Sequence, residues 1–252
     1  MANMAFFSGS PVFPQGRNTM VLVLTWAASA IDAISYLGLG HVFTANMTGN
    51  AVLLGVAIGQ GQGLAALRSM IALAGFVVGV ALGAIVLHKG PQQSDWPVAV
   101  TKAVLLEGVI LVAFTIAWHL GVRAGATLYV LIILSALAMG LQSAAIRHLK
   151  VPGIATTYIT GTLTSLVAEF TSWLYGLRTS PIAAGLRGQS AEGDVTTHRH
   201  GAPLQALVLL VYVLAALLSA FLQARHSRLV TLSPLMAVAL VAVNAIARHR
   251  RT

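Results

Sequence analysis

Cysteine is absent from the 252 residues, which excludes a disulfide framework, a thiolate metal site and a cysteine nucleophile. Charge is nearly as scarce. Six acids and fifteen Lys or Arg make up 8% of the chain, against roughly a quarter in ordinary soluble domains. Too few polar residues remain to cover a water-soluble globule of this length, which argues against a soluble enzyme and against a disordered chain. The net charge of +9 would suggest a nucleic-acid partner in a soluble protein. Here no basic helix or aromatic–basic strand occurs, and the bases fall mostly between apolar runs, so no nucleic-acid partner is expected. A zincin histidine pair, a phosphate-binding P-loop and a glycine-rich dinucleotide fingerprint are also missing. The chain is therefore not read as an enzyme, and no cofactor or metal is expected. Without a motif for ATP hydrolysis, what remains is coupling to an ion gradient, passive conduction, or no transport.

Apolar residues, at 57%, are what the chain does have. Six long apolar runs lie at about 20–40, 68–88, 98–120, 125–147, 203–224 and 229–247. About 20 apolar residues cross the hydrocarbon of a bilayer as a helix that satisfies its own backbone polar groups. The pattern predicts an all-α, polytopic membrane protein. Its immediate partners are membrane lipids. Two further segments, 44–60 and 156–177, open with Thr, Gly and other polar residues and turn apolar later. Each follows a break, Gly38 to His41 before the first and Val151-Pro152-Gly153 before the second. Proline cannot continue a helix ladder and glycine weakens one. These two segments read as broken or re-entrant, giving six full spans; eight spans is the alternative. The first run imitates a signal peptide, with Ala28-Ser29-Ala30 as a cleavage site. It continues through Asp32 to Leu37 and is read as a retained helix.

Met47-Thr48-Gly49-Asn50 aligns with Ile159-Thr160-Gly161-Thr162 at a displacement of 112 residues. This suggests an internal two-fold repeat. The expected organisation is a tail over 1–19, a first membrane repeat over 20–122, a second over 123–247 with a long loop at 178–202, and a basic tail over 248–252. With six spans, eleven bases fall on one side of the membrane and four, Arg68, Arg123, Arg225 and Arg228, on the other. With eight spans the split is six to nine. The positive-inside rule favours six, with both termini cytoplasmic. Three spans per repeat would also make the halves inverted.

Three carboxylates interrupt the apolar segments: Asp32, Glu107 and Glu169. A charge at the centre of a spanning helix costs about 2.5–3.5 kcal/mol on insertion scales, so such residues face protein or water. Asp32 has Ser29 and Ser35 at i±3, on one side of a helix. Glu107 stands five residues from Lys102, about 140° around a helix, so the two are not an obvious pair. Glu169 has Ala57 as its counterpart in the first half. The polar breaks add Asn46, Thr48 and Asn50 in one half and Thr160 and Thr162 in the other. Paired interruptions in two halves are a sequence pointer to a transporter binding site. The competing reading is that Thr and Asn simply cap helices at the interface. Gly75, Gly79 and Gly83 make a small-residue stripe that lets another helix approach closely. A similar stripe runs through Ala136, Gly140 and Ala144. Packing inside the bundle is the favoured reading, with a homo-oligomer contact as the alternative. His198 and His200 flank Arg199 in the long loop and read as solvated rather than metal-bound.

The stretch DAISYLGLGHVFTANMTGNAVLLG, with Asp32, Tyr36, Phe43, Thr44, Asn46, Met47, Thr48, Gly49 and Asn50, resembles the YoaK family of bacterial membrane proteins. Thr160-Gly161 is similar to that family's downstream Thr-Gly element, and the likeness covers about residues 18–247. It implies a bacterial cytoplasmic-membrane protein with several spans and carries no settled activity. The function expected from the residues is a secondary transporter or exporter of a small solute, with a proton or sodium ion as coupling ion. In it the two broken segments meet near the bilayer midplane, and Asp32 carries the ion. A gated channel, a non-transporting assembly partner and a membrane-embedded lipid-modifying enzyme are the alternatives.

Overall fold

Stretches too apolar to face water, and long enough to close their own backbone hydrogen bonds, become helices here. A computed structural model describes residues 16–88, 95–121, 125–151, 159–174 and 201–250. Among the described residues there are eight α-helices and no strand: α1 (Arg17–Gly38), α2 (Met47–Gly59), α3 (Gly63–His88), α4 (Val98–Leu120), α5 (Gly125–His148), α6 (Ile159–Leu174), α7 (Gly201–Arg225) and α8 (Leu232–His249). Six of them are long and apolar enough to cross a membrane: α1, α3, α4, α5, α7 and α8. At 1.5 Å per residue, the 13 residues of α2 reach only about 20 Å, short of a hydrocarbon core of about 30 Å. The chain is a polytopic helical membrane protein. The tail before residue 16, most of the loop 178–202 with His198 to His200, and the Pro152-Gly153 break lie outside the described residues.

Side-chain neighbours give the helix directions. Ser29 and Asp32 of α1 bond Tyr212 of α7, and Gly38 at the end of α1 lies against Gln223 near the end of α7, so these helices run parallel. Gly75, Gly79 and Gly83 of α3 face Ala136, Leu137 and Ala144 of α5 in ascending order, a second parallel pair. Thr101 of α4 bonds His249 of α8 at 2.9 Å, and Gly108 lies against Val238, so these two are antiparallel.

One face of the bundle follows from these pairs. The end of α4 sits beside the end of α1, because Trp118 touches Gly38 and its indole N–H donates to the Ser227 carbonyl at 2.9 Å. The start of α3 is there too, since Arg68 lies against Gly40. The connection 39–62 therefore leaves and returns on the same face, and α2 is part of a re-entrant excursion. The connection 149–200 begins and ends on the opposite face. Spans α1, α3 and α4 run up, down, up; α5, α7 and α8 run down, up, down. The packed pairs α1·α7, α1·α8 and α6·α7 have counterparts in α3·α5, α4·α5 and α2·α3 when one half is exchanged for the other. The described residues of α2 and α6 include the two stretches paired by the 112-residue displacement, Met47 to Asn50 and Ile159 to Thr162.

The core lies around α1 and α5, the two most buried spans. Met20, Leu24, Ile31 and Ile34 of α1 and Leu131, Ile132, Met139 and Leu141 of α5 are almost fully enclosed. Large apolar side chains on the outer helices, such as Val77 and Ile85 on α3, Val109 on α4 and Val213 and Leu217 on α7, are exposed. In a bilayer this is the lipid-facing surface. The small-residue stripe of α3 is packed against that of α5 inside the chain. A Cβ on Gly79 would strike the Leu137 carbonyl oxygen, and one on Gly140 would strike the Phe76 carbonyl oxygen. Backbones meet here with no side chain between them.

Candidate functional site

The start of α2 hangs on one carboxylate. After Gly38 the chain leaves the helix through Gly40 (φ 82°) and His41 (φ 61°), left-handed conformations that turn it back along α1. Residues 43–46 then pass Asp32. Its Oδ1 accepts the backbone N–H of Ala45 at 2.7 Å, of Thr44 at 2.8 Å and of Asn46 at 3.3 Å. Its Oδ2 accepts the hydroxyl of Tyr212, from α7, at 3.2 Å. Asp32 is only 4% exposed. Three N–H groups that would otherwise be unsatisfied at membrane depth thus find an acceptor, and the carboxyl group finds four donors.

Neighbouring polar groups complete the turn. Ser35 and Thr44 share a hydroxyl–hydroxyl bond at 2.9 Å. The Asn50 side chain accepts the Phe43 N–H at 2.9 Å and donates back to the Phe43 carbonyl. Asn46 is the N-cap of α2, its side-chain oxygen accepting the Gly49 N–H at 3.1 Å. Phe43 stacks on Tyr36 with ring centroids 5.0 Å apart, and His41 meets the edge of the same tyrosine at 5.0 Å. Ser29 donates to the Tyr212 carbonyl at 2.6 Å, so α7 is held at this level by two hydrogen bonds.

The remaining sequence candidates fall elsewhere. Thr48 is on the exposed side of α2. Thr160 is exposed on α6; Thr162 is buried there, its hydroxyl without a hydrogen-bond partner among the described residues. Glu169 is half-buried on α6. Glu107 is buried within α4. Among the described residues the two broken segments do not meet: α2 packs on α3, α6 packs on α7, and these two helices do not lie side by side. The reason is the sense of the halves. The first excursion leaves from the end of α1 and the described end of α5 lies on the opposite face, with the central pair α1 and α5 between the outer pairs. Nor are the N–H groups before α2 open to an anion, because Asp32 occupies them.

Tyr212 was not among the sequence candidates. Its one signal was a phenol in the middle of the apolar run LLVYVL, where a buried hydroxyl needs a partner. Gln142, fully buried in α5 and donating to the Leu24 carbonyl at 2.9 Å, carries the same kind of signal. No group of three or more His, Asp or Glu side chains gathers as a metal site among the described residues.

Six spans, a re-entrant helix and a carboxylate clamp buried between two spans define an integral membrane protein whose polar groups are spent at membrane depth. A family described as a protein of unknown function, DUF1275, matches residues 20–247, and the chain belongs to that family. The UPF0700 transmembrane protein YoaK of Bacillus subtilis (strain 168) is 43% identical over 160 residues, covering 63% of this chain and 69% of that protein. No solved structure matches the chain.

Proposed function

We propose that the chain is an ion-coupled secondary transporter or exporter of a small solute, seated in the bacterial cytoplasmic membrane with both termini on the cytoplasmic side. The single observation that carries this reading is the Asp32 clamp. One carboxylate joins the re-entrant turn of the first half to a span of the second. Its hydrogen bonds to Thr44, Ala45 and Asn46 are strengthened by negative charge. Taking up a proton, or sharing the carboxylate with a sodium ion, weakens them together and loosens the start of α2. Motion of α7 against α1 acts on the same carboxylate through Tyr212. An ion and a conformational change are thereby linked at one atom group, which is the requirement for coupling.

Two features support the reading. The opposed directions of α1, α3, α4 and α5, α7, α8, with matching packed pairs, suit an internal inverted repeat, and inverted repeats with broken helices recur in secondary transporters. Among the described bases, Arg17, Lys102, Arg147, Lys150, Arg248 and Arg250 belong to the face of the termini, and Arg68, Arg225 and Arg228 to the other. That bias suits a cytoplasmic location for the termini.

The test is reconstitution in proteoliposomes under imposed proton or sodium gradients, with a panel of small solutes followed by counterflow. Gradient-driven accumulation that is lost in Asp32→Asn, in protein shown to insert normally, supports the proposal. Conductance without accumulation would replace it with a gated pore. Full coupling retained in both Asp32→Asn and Tyr212→Phe would remove the site.

A further inference from the structure

The other fully buried acid has surroundings opposite to those of Asp32. Glu107 is the tenth residue of α4, about 13 Å from the start of that helix, and is 0% exposed. Along its own face lie Ala103, Val104, Leu111 and Phe114, all buried and apolar. Neither carboxylate oxygen has a hydrogen-bond partner among the described residues.

The elements packed on α4 are α5, α8 and, less extensively, α3. The buried face of α8 is Pro234, Ala237, Val238, Val241, Ala242 and Ala245, interrupted by Asn244, whose amide donates to its own Leu240 carbonyl. On α5 the Ser135 hydroxyl donates back to Leu131. The titratable and charged groups of these elements are Tyr129, Arg147 and His148 on α5, Arg248 and His249 on α8, and Arg68 and His88 on α3. All fall within the first six or last two residues of their helices. On α4 itself, Lys102 is exposed and turned about 140° away, and His119 bonds the Thr115 carbonyl. Among the described residues no cation is placed to neutralise Glu107.

An unpaired carboxylate in such a setting costs several kcal/mol, and a proton removes that cost where no counter-charge does. A metal ion would need several oxygen ligands, and no cluster of acidic or histidine side chains offers them among the described residues. We infer that Glu107 is a proton-binding site inside α4, separate from the Asp32 clamp and held at rest as the neutral carboxylic acid. This deepens the transport reading by naming the proton as the coupling ion; the coupling role rests on that reading, whereas proton binding at Glu107 does not.

Infrared difference spectroscopy on the full chain in lipid reads the site directly. The carbonyl stretch of a protonated carboxylic acid is expected in the wild type, lost in Glu107→Gln and retained in Asp32→Asn. Absence of that band in the wild type, or a band unchanged in Glu107→Gln, overturns the inference. A second measurement needs no variant. A hydrophobic carbodiimide, which attacks neutral carboxylic acids in lipid, is expected to leave its adduct on the peptide carrying Glu107; recovery of that peptide unmodified overturns the inference. If no solute is ever transported, the band and the adduct still decide the proton site. If Asp32-dependent transport is found and the band is absent, this inference alone falls.

Discussion

The phenol of Tyr212 reaches across from α7 to the second oxygen of Asp32, 3.2 Å away, while the first oxygen holds the turn that starts α2. One side chain of the first span is thus shared by a re-entrant segment and by a span 180 residues further along the chain. Removing the phenol oxygen alone deletes one of four hydrogen bonds. Tyr212→Phe is expected to cost about 1 kcal/mol of stability, read as a small drop in thermal unfolding temperature in detergent.

Truncating the carboxylate is more severe. Asp32→Ala leaves three backbone N–H groups at membrane depth without an acceptor, each worth about 1–3 kcal/mol when unsatisfied. Asp32→Asn keeps a neutral oxygen in the same place. Stability is therefore expected to fall in the order wild type, Asn, Ala, with the Ala protein several kcal/mol down. Equal stability of Ala and wild type in chemical or thermal unfolding would mean that the turn is not held by this residue.

The two asparagines of the first broken segment are expected to separate by size of effect. Asn50→Ala removes both bonds that tie Phe43 to α2, a loss of about 1–3 kcal/mol. Asn46→Ala removes an N-cap, at about 1 kcal/mol. Limited proteolysis within residues 39–46 is expected to speed up in Asn50→Ala before it does in Asn46→Ala.

Close backbone approach makes glycine obligatory at one place and optional at another. Gly79→Leu drives a side chain into the Leu137 backbone and is expected to abolish the folded, monodisperse protein in size-exclusion chromatography. Gly55 has nothing within 4 Å of where a Cβ would stand. Gly55→Ala is expected to be neutral or to stabilise by up to about 1 kcal/mol, because the helix interior loses a glycine.

The chain has no native cysteine, so single cysteines report sidedness without background. His41→Cys, Gln62→Cys and His226→Cys are expected to react with an impermeant maleimide from the same side of the membrane, because 39–62 leaves and returns on one face. Eight crossings would place Gln62 on the side opposite His41, and labelling from opposite sides would restore that arrangement.

Several features were legible before any fold was known, and the reason is the solvent. A chain with 57% apolar and 8% charged residues has to place helices in lipid, and run length then sets how many cross. The short reach of 44–60 followed from the glycine break before it, since helix interruption is a local backbone property. Asp32 stood out because an acid in an apolar run must find partners.

Which partners it found was decided only by tertiary structure. Nothing local couples Asp32 to Tyr212, or sets Gly79 of α3 against Leu137 of α5; both depend on how helices distant in sequence pack and in which direction they run. That the described parts of the two broken segments lie apart has the same reason. Hydropathy gives the number of crossings but not the neighbours of each, whereas side-chain fit and hydrogen-bond satisfaction at depth place α2 on α3 and α6 on α7. The contrast between a fully bonded Asp32 and a Glu107 with no hydrogen-bond partner among the described residues, two acids of like appearance along the chain, is likewise a product of packing.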